Sequence, residues 1–184
     1  MRIFAAIDLP DPARDALEAL QSDLPVGRLM APETFHLTLC FLDEQPQHVA
    51  AAVHEELATI RFEPFPLILR GVDTFGGMQP RLLWASVAPQ PALKVLREKV
   101  RSAIVRAGLE LPRARFRPHV TLARFGGELR GEEMARLGGF LAHHAGFAAA
   151  PFAVERFTLY RSLLHPDGAV HEALAEYPPQ ISGS

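Results

Sequence analysis

Eight histidines are spread through this chain of 184 residues, and two of them sit in nearly the same short context. Phe35-His36-Leu37-Thr38-Leu39 and Pro118-His119-Val120-Thr121-Leu122 each place a histidine two residues before a threonine in an apolar run. Side chains alternate between the faces of a strand, so His36 shares a face with Thr38, and His119 with Thr121. An imidazole with an ordinary pKa of ~6.5 holds or releases a proton near neutrality. Two such rings facing one small anion suit acid–base work on a phosphodiester. A neutral ring takes a proton from water, and a charged partner gives one to the departing oxygen. Each transfer is typically worth ~10²–10⁴ in rate. The threonine hydroxyls can donate to non-bridging oxygens as charge builds on phosphorus. This chemistry needs neither a metal nor a covalent nucleophile.

The elements that must hold these residues can be read from periodicity. Strands are predicted at Ile3–Leu9, Phe35–Leu42, Pro64–Phe75, Leu82–Val87, Arg115–Phe125 and Phe152–Leu164, with a last extended segment near Ala169–Ala175 after a Pro166-Asp167-Gly168 turn. Helices are predicted near Asp11–Leu20, Gln47–Ile60, Pro91–Ala107 and Glu132–His143. The third has the clearest stripe: Leu93, Leu96, Val100, Ala103 and Ile104. Strand, helix, strand, helix, strand therefore occurs over residues 3–75 and again over 82–164. The reading is two pseudo-symmetric α/β lobes packed as one unit over 1–184, the first about 1–80 and the second about 81–184, with strands exchanged between them. A pseudo-twofold relation turns the two His-x-Thr faces toward one cleft.

Composition narrows the partners. Lys and Arg number 19 against 21 Asp and Glu, a formal charge of −2, so no global field steers the chain onto nucleic acid or an anionic membrane. Any phosphate site is local. A single cysteine, Cys40, forms no internal disulfide and fits a reducing cytoplasm. The first residues read as neither a secretory signal nor a membrane span. The other histidines lack zinc-site spacing, and no P-loop or strand-linked dinucleotide glycine motif occurs. Neither a metal nor a cofactor is expected.

The paired motifs carry a resemblance. The chain resembles the two-histidine (2H) phosphoesterase superfamily, marked by two H-x-T-x motifs on strands of two similar lobes. It is most similar to the bacterial and archaeal RNA 2′,3′-cyclic phosphodiesterases, also called 2′-5′ RNA ligases. Besides the motifs, Phe4-Ala5-Ala6-Ile7-Asp8-Leu9-Pro10, the strand with Trp84, and Phe157-Thr158-Leu159-Tyr160-Arg161-Ser162 carry the likeness. The group commonly has Gly where this chain has Asp43, and tends to have Gly near Ser86.

The resemblance implies an α+β fold of antiparallel sheets flanking a central cleft. It implies His36 as general acid and His119 as general base, with Thr38 and Thr121 beside them. The residues alone leave the two roles exchangeable. It also implies RNA with a 2′,3′-cyclic phosphate end as substrate, opened to a 2′-phosphate. A 5′-hydroxyl RNA would be the second partner if the chemistry ran backward as 2′-5′ ligation. Non-catalytic binding of RNA ends or nucleotides is the third reading. No membrane and no obligate protein partner are implied.

Supporting residues follow from parity. If the strand reaches back to Arg115, then Arg115 and Arg117 share the His119 face and can grip phosphates bidentately. The plainer alternative is a solvated loop in a chain where 17 of 19 cations are Arg. Tyr160 and Ser162 share one face of a late strand and can line the cleft by base stacking and a hydroxyl contact. Cys40 has the parity of His36 and Thr38 and is read as small packing beside them.

Overall fold

In the computed structural model, which describes residues 1–113, 115–165 and 168–178, the chain opens with β1 (Arg2–Asp8) and α1 (Asp11–Ser22). Pro10 stands at the N-cap of α1, where its fixed φ leads into the helix. A two-residue β2 (Arg28–Leu29) and a 3-10 turn (Pro32–Thr34) precede β3 (His36–Glu44). Next come α2 (Gln47–Ala58), β4 (Phe65–Leu67) and β5 (Leu69–Phe75). The second half holds β6 (Leu82–Val87), α3 (Pro91–Arg106), β7 (His119–Arg124), α4 (Glu132–His143), β8 (Phe152–Val154), β9 (Phe157–His165) and β10 (Gly168–Tyr177). Pro166 and Asp167, and with them most of the turn expected before β10, lie outside the described residues.

Every strand pairing is antiparallel. One four-stranded sheet runs β10-β9-β1-β3, a second β2-β7-β6-β5, and β4 pairs with β8 as a separate ribbon. The fold is α+β. Two expected strands are each divided. Pro64–Phe75 becomes β4 and β5, and Phe152–Leu164 becomes β8 and β9. The physical reason is shared: the first piece of each pairs with the other's first piece, and the second piece crosses to the sheet of the opposite half. β5 lies beside β6, and β9 beside β1. The exchange is reciprocal.

The predicted stripe of α3 is fully buried. Helix α1 buries Ala13, Leu17, Leu20 and Gln21. On α2 the inward face is Ala50, Val53 and Leu57, not the expected Val49 and Ala52 beside Val53 and Leu57. The strand expected from Arg115 starts instead at His119. Pro118 has no N–H for a ladder and closes the regular hydrogen bonding before it. The parity argument for Arg115 and Arg117 therefore loses its strand.

Candidate active site

His36 and His119 are each the first residue of their strand. The burial pattern reads alike in both: half-buried His, buried Leu37 or Val120, half-buried Thr, then two buried residues and an exposed one. That doubled buried step is a β-bulge. Ala6 pairs with Thr38 but Ala5 with Cys40, so Leu39 is the extra residue. Trp84 pairs with Thr121 but Leu83 with Ala123, so Leu122 is the extra residue. Each bulge follows its threonine by one position. It reverses side-chain parity there, sends Cys40 into the core and turns Phe41 outward. The parity assigned to Cys40 from sequence is corrected by this insertion.

The two rings are held in the same way. His36 Nδ1 lies 2.7 Å from the carbonyl oxygen of Thr34, and His119 Nδ1 lies 2.6 Å from that of Arg117. A carbonyl only accepts, so Nδ1–H donates in both rings. That leaves Nε2 of each to accept or deliver a proton. β3 and β7 lie alongside one another, and a charge on His119 bears on His36.

Their surroundings differ. His36 is pushed down to about 4, chiefly by burial; a charged His171 and His119 lower it further. The Thr34 carbonyl and the Asp8 carboxylate act in the opposite direction. His119 is also lowered by burial, against the Arg117 carbonyl. Around His36 stand Phe4 at 4.8 Å between ring centres, His171 at 5.2 Å and Tyr160 at 6.5 Å. Around His119 stand Phe75 at 5.0 Å and Trp84 at 5.6 Å, both edge-on, with Phe75 and Trp84 stacked on each other.

Asp8 organises the first wall. Thr158 Oγ1 donates to Asp8 Oδ2 at 2.6 Å, and the Tyr160 hydroxyl donates to Asp8 Oδ1. Burial, with the bond to Asp8, raises the Tyr160 phenol above its usual range. Its proton is committed to Asp8, while its ring stacks on Phe4 at 5.3 Å. Ser162 is half-buried and stands opposite Arg2 on one side and His171 on the other.

Of the two arginines singled out in sequence, Arg117 reaches the site. Its guanidinium lies 5.9 Å from the Phe75 ring centre, and its carbonyl orients His119. Arg115 is exposed on the loop before β7. Asp8, Thr158 and His171 were not singled out. Asp8 left a usable signal, a carboxylate at the end of an otherwise apolar strand. His171 left none, because β10 reaches the cleft only through the curl of its sheet. Among the described residues, one group has metal-ligand chemistry: Asp23, His143 and His144, whose ligand atoms lie within 4.8 Å of one another. It gathers where α1 and α4 end, and Asp23 is far in sequence from the adjacent His143 and His144.

The chain is similar to known proteins over most of its length. The model of the 2′-5′ RNA ligase superfamily matches residues 9–166, a span holding both motifs. The RNA 2′,3′-cyclic phosphodiesterase of Aeropyrum pernix is 33% identical over 153 residues, covering 82% of this chain and 85% of that protein. That of Geobacillus stearothermophilus is 31% identical over 182 residues, covering 95% of this chain; the match spans 56% of that protein's length. A crystal structure of E. coli LigT in apo form superposes with a TM-score of 0.76 at 27% identity, covering 96% of this chain and 95% of that one. With twin His-x-Thr strands, mirrored bulges and a likeness running nearly end to end, the chain belongs to the 2′-5′ RNA ligase superfamily of two-histidine phosphoesterases.

Proposed function

We propose that this chain hydrolyses a terminal 2′,3′-cyclic phosphate on RNA to a 2′-phosphate without a metal, residues 1–184 acting as one bilobal unit. One observation carries the reading: two imidazoles bonded identically through Nδ1, each with Nε2 left for chemistry and a threonine on its own face. Nε2 of His119 takes a proton from water as the water oxygen bonds to phosphorus. The P–O3′ bond then breaks, and Nε2–H of His36 protonates the leaving oxygen. Thr38 and Thr121 donate to the non-bridging oxygens. The names of the related phosphodiesterases support the substrate class.

Electrostatics adds a condition. With His36 held near 4, the empty site carries it uncharged at neutral pH. A bound phosphodiester brings a negative charge beside it and raises its proton affinity. In this reading the acid is charged by its own substrate. Arg117, at the rim of the His119 side, is suited to the phosphate of a preceding nucleotide, and Arg115 to RNA further along. Tyr160 contributes a ring face and Ser162 a hydroxyl.

The superfamily's name favours a second reading, 2′-5′ ligation, in which an RNA 5′-hydroxyl replaces water and the same proton transfers run in reverse. Incubation with a short RNA ending in a 2′,3′-cyclic phosphate, in EDTA, with and without a 5′-hydroxyl RNA, separates the two. Exclusive 2′-phosphate, lost in His36→Ala and His119→Ala, is the expected result. A joined product favours ligation. Binding without conversion, or turnover unchanged in both variants, overturns the assignment.

A further inference from the structure

β3 and β10 are the two edge strands of one sheet, with β1 and β9 between them. Across a flat sheet, edges three spacings apart are separated by about 14 Å. Yet the rings of His36 on β3 and His171 on β10 stand 5.2 Å apart, edge to face. The sheet therefore curls strongly, and β10 packs against the Pro32–Thr34 turn that leads into His36. This curl places a third imidazole on the concave face. It lies 4.9 Å from Phe4 and 6.3 Å from Tyr160.

His171 does not behave as a settled core histidine. Buried polar groups normally find partners, but its Nδ1 is buried with none, and no ion pair holds the ring among the described residues. A buried bare lone pair costs less than a buried unpaired N–H. The neutral ring therefore keeps its proton on Nε2, which is the accessible nitrogen. The groups around this corner are Asp8 on β1, His36 on β3, His119 on β7 and Tyr160 on β9. The Asp8 carboxylate is already engaged by Thr158 and Tyr160. An N–H donor is thus free beside His36, and the charge it can serve must come from the ligand.

We propose that His171 is a substrate-contacting residue whose Nε2–H donates to an oxygen of the phosphate held by His36 and His119. The inference rests on the reading that the cleft takes a phosphodiester, and it adds a third donor to it. A hydrogen bond to a charged oxygen here corresponds to a roughly tenfold change in affinity or more.

The test compares wild type with His171→Phe, which keeps an aromatic ring against Phe4 and His36, and His171→Gln, which restores a donor near Nε2. Inorganic phosphate is titrated into each while the imidazole resonances are followed by NMR, and KM and kcat are measured on the cyclic-phosphate RNA. The expected result is phosphate binding and KM weakened about tenfold in the Phe variant, with kcat moved far less, and most of the loss recovered in the Gln variant. Equal phosphate binding by wild type and the Phe variant overturns the proposal. So does a matched loss in both variants with a lowered melting temperature, which marks packing alone. If wild type binds phosphate through His171 but never opens the RNA, the proposal stands and the hydrolase reading falls.

Discussion

Asp8 and His36 are direct partners across the β1–β3 ladder, and the corresponding partners in the second sheet are Ser86 and His119. The pseudo-symmetric halves thus differ at one decisive place: a carboxylate stands across from one histidine and a hydroxyl across from the other. Negative charge favours the protonated imidazole, so Asp8 offsets part of the fall that burial imposes on His36. The motifs by themselves do not show this difference.

Asp8→Asn tests that relationship. The amide keeps an acceptor for Thr158 or Tyr160 but removes the charge that raises His36. His36 then binds its proton more weakly, and an acid must be protonated to act. We expect kcat/KM on cyclic-phosphate RNA to fall about tenfold, with the alkaline limb of the pH–rate profile moved to lower pH. A limb left in place while the rate drops would assign Asp8 to packing.

Acid should loosen the fold through the same cleft. His36, His119 and His171 are all lowered, mainly by burial. In the unfolded chain these rings take up protons below ~6.5. The folded state resists, so it binds fewer protons and loses stability as pH falls. For His36 the window runs from ~6.5 down to about 4 and is worth on the order of 3 kcal/mol. Urea midpoints measured between pH 7.5 and 4.5 should decline, and the decline should be shallower in His36→Gln. An identical slope in that variant would place the acid sensitivity elsewhere.

Gln21 joins α1 to the second motif strand. Its buried side-chain amide donates to the carbonyls of Met30 and Leu122 at 2.7 Å each. Gln21→Leu leaves the Met30 carbonyl without that donor, though Leu122 still accepts from the Met30 N–H at 2.8 Å. The cost should be about 2 kcal/mol. Gln21→Glu should cost more, because a carboxylate faces two carbonyl oxygens and has no proton to offer. Chemical denaturation of the two variants checks the order, and a Glu variant at least as stable as Leu would refute it.

Asp43 explains a departure from the family pattern. It has φ 61° and is the one non-glycine residue with positive φ among the described residues. It sits at a register shift between β1 and β3. Asp tolerates this left-handed geometry better than most side chains, and Gly better still. Asp43→Gly should therefore stay within about 0.5 kcal/mol of wild type, whereas the β-branched Asp43→Val should cost about 2 kcal/mol. Thermal melts of the pair distinguish a conformational demand from a side-chain contact, for which both would lose equally.

What could be read before folding was whatever one strand or one helix determines alone. The shared face of His36 and Thr38 follows from alternation over three residues, and the α3 stripe from its own period. Features that need two distant segments could not be read. Asp8 and Thr158 are 150 residues apart and meet only through the β1–β9 register. His171 meets His36 only because the sheet curls. The bulges at Leu39 and Leu122 shift parity in the middle of each motif strand, which is where the reading of Cys40 failed. The strand predicted from Arg115 failed more locally, since Pro118 ends the ladder that the alternation of Arg115 and Arg117 assumed. Asp43 shows the opposite case: a departure legible in the sequence coincides with positive φ at a register shift within β3.

The crossing of β5 and β9 has a consequence for the chain as a heritable object. Between them lies the turn at Gly76–Gln79, with Met78 91% exposed. A protease that nicks it, or a gene divided there, leaves two polypeptides, and neither owns a whole sheet. Each carries two of the four strands of each sheet, so the ladders between the halves hold them together as well as the continuity of the backbone. The halves are complementary fragments, each the template on which the other completes its sheets.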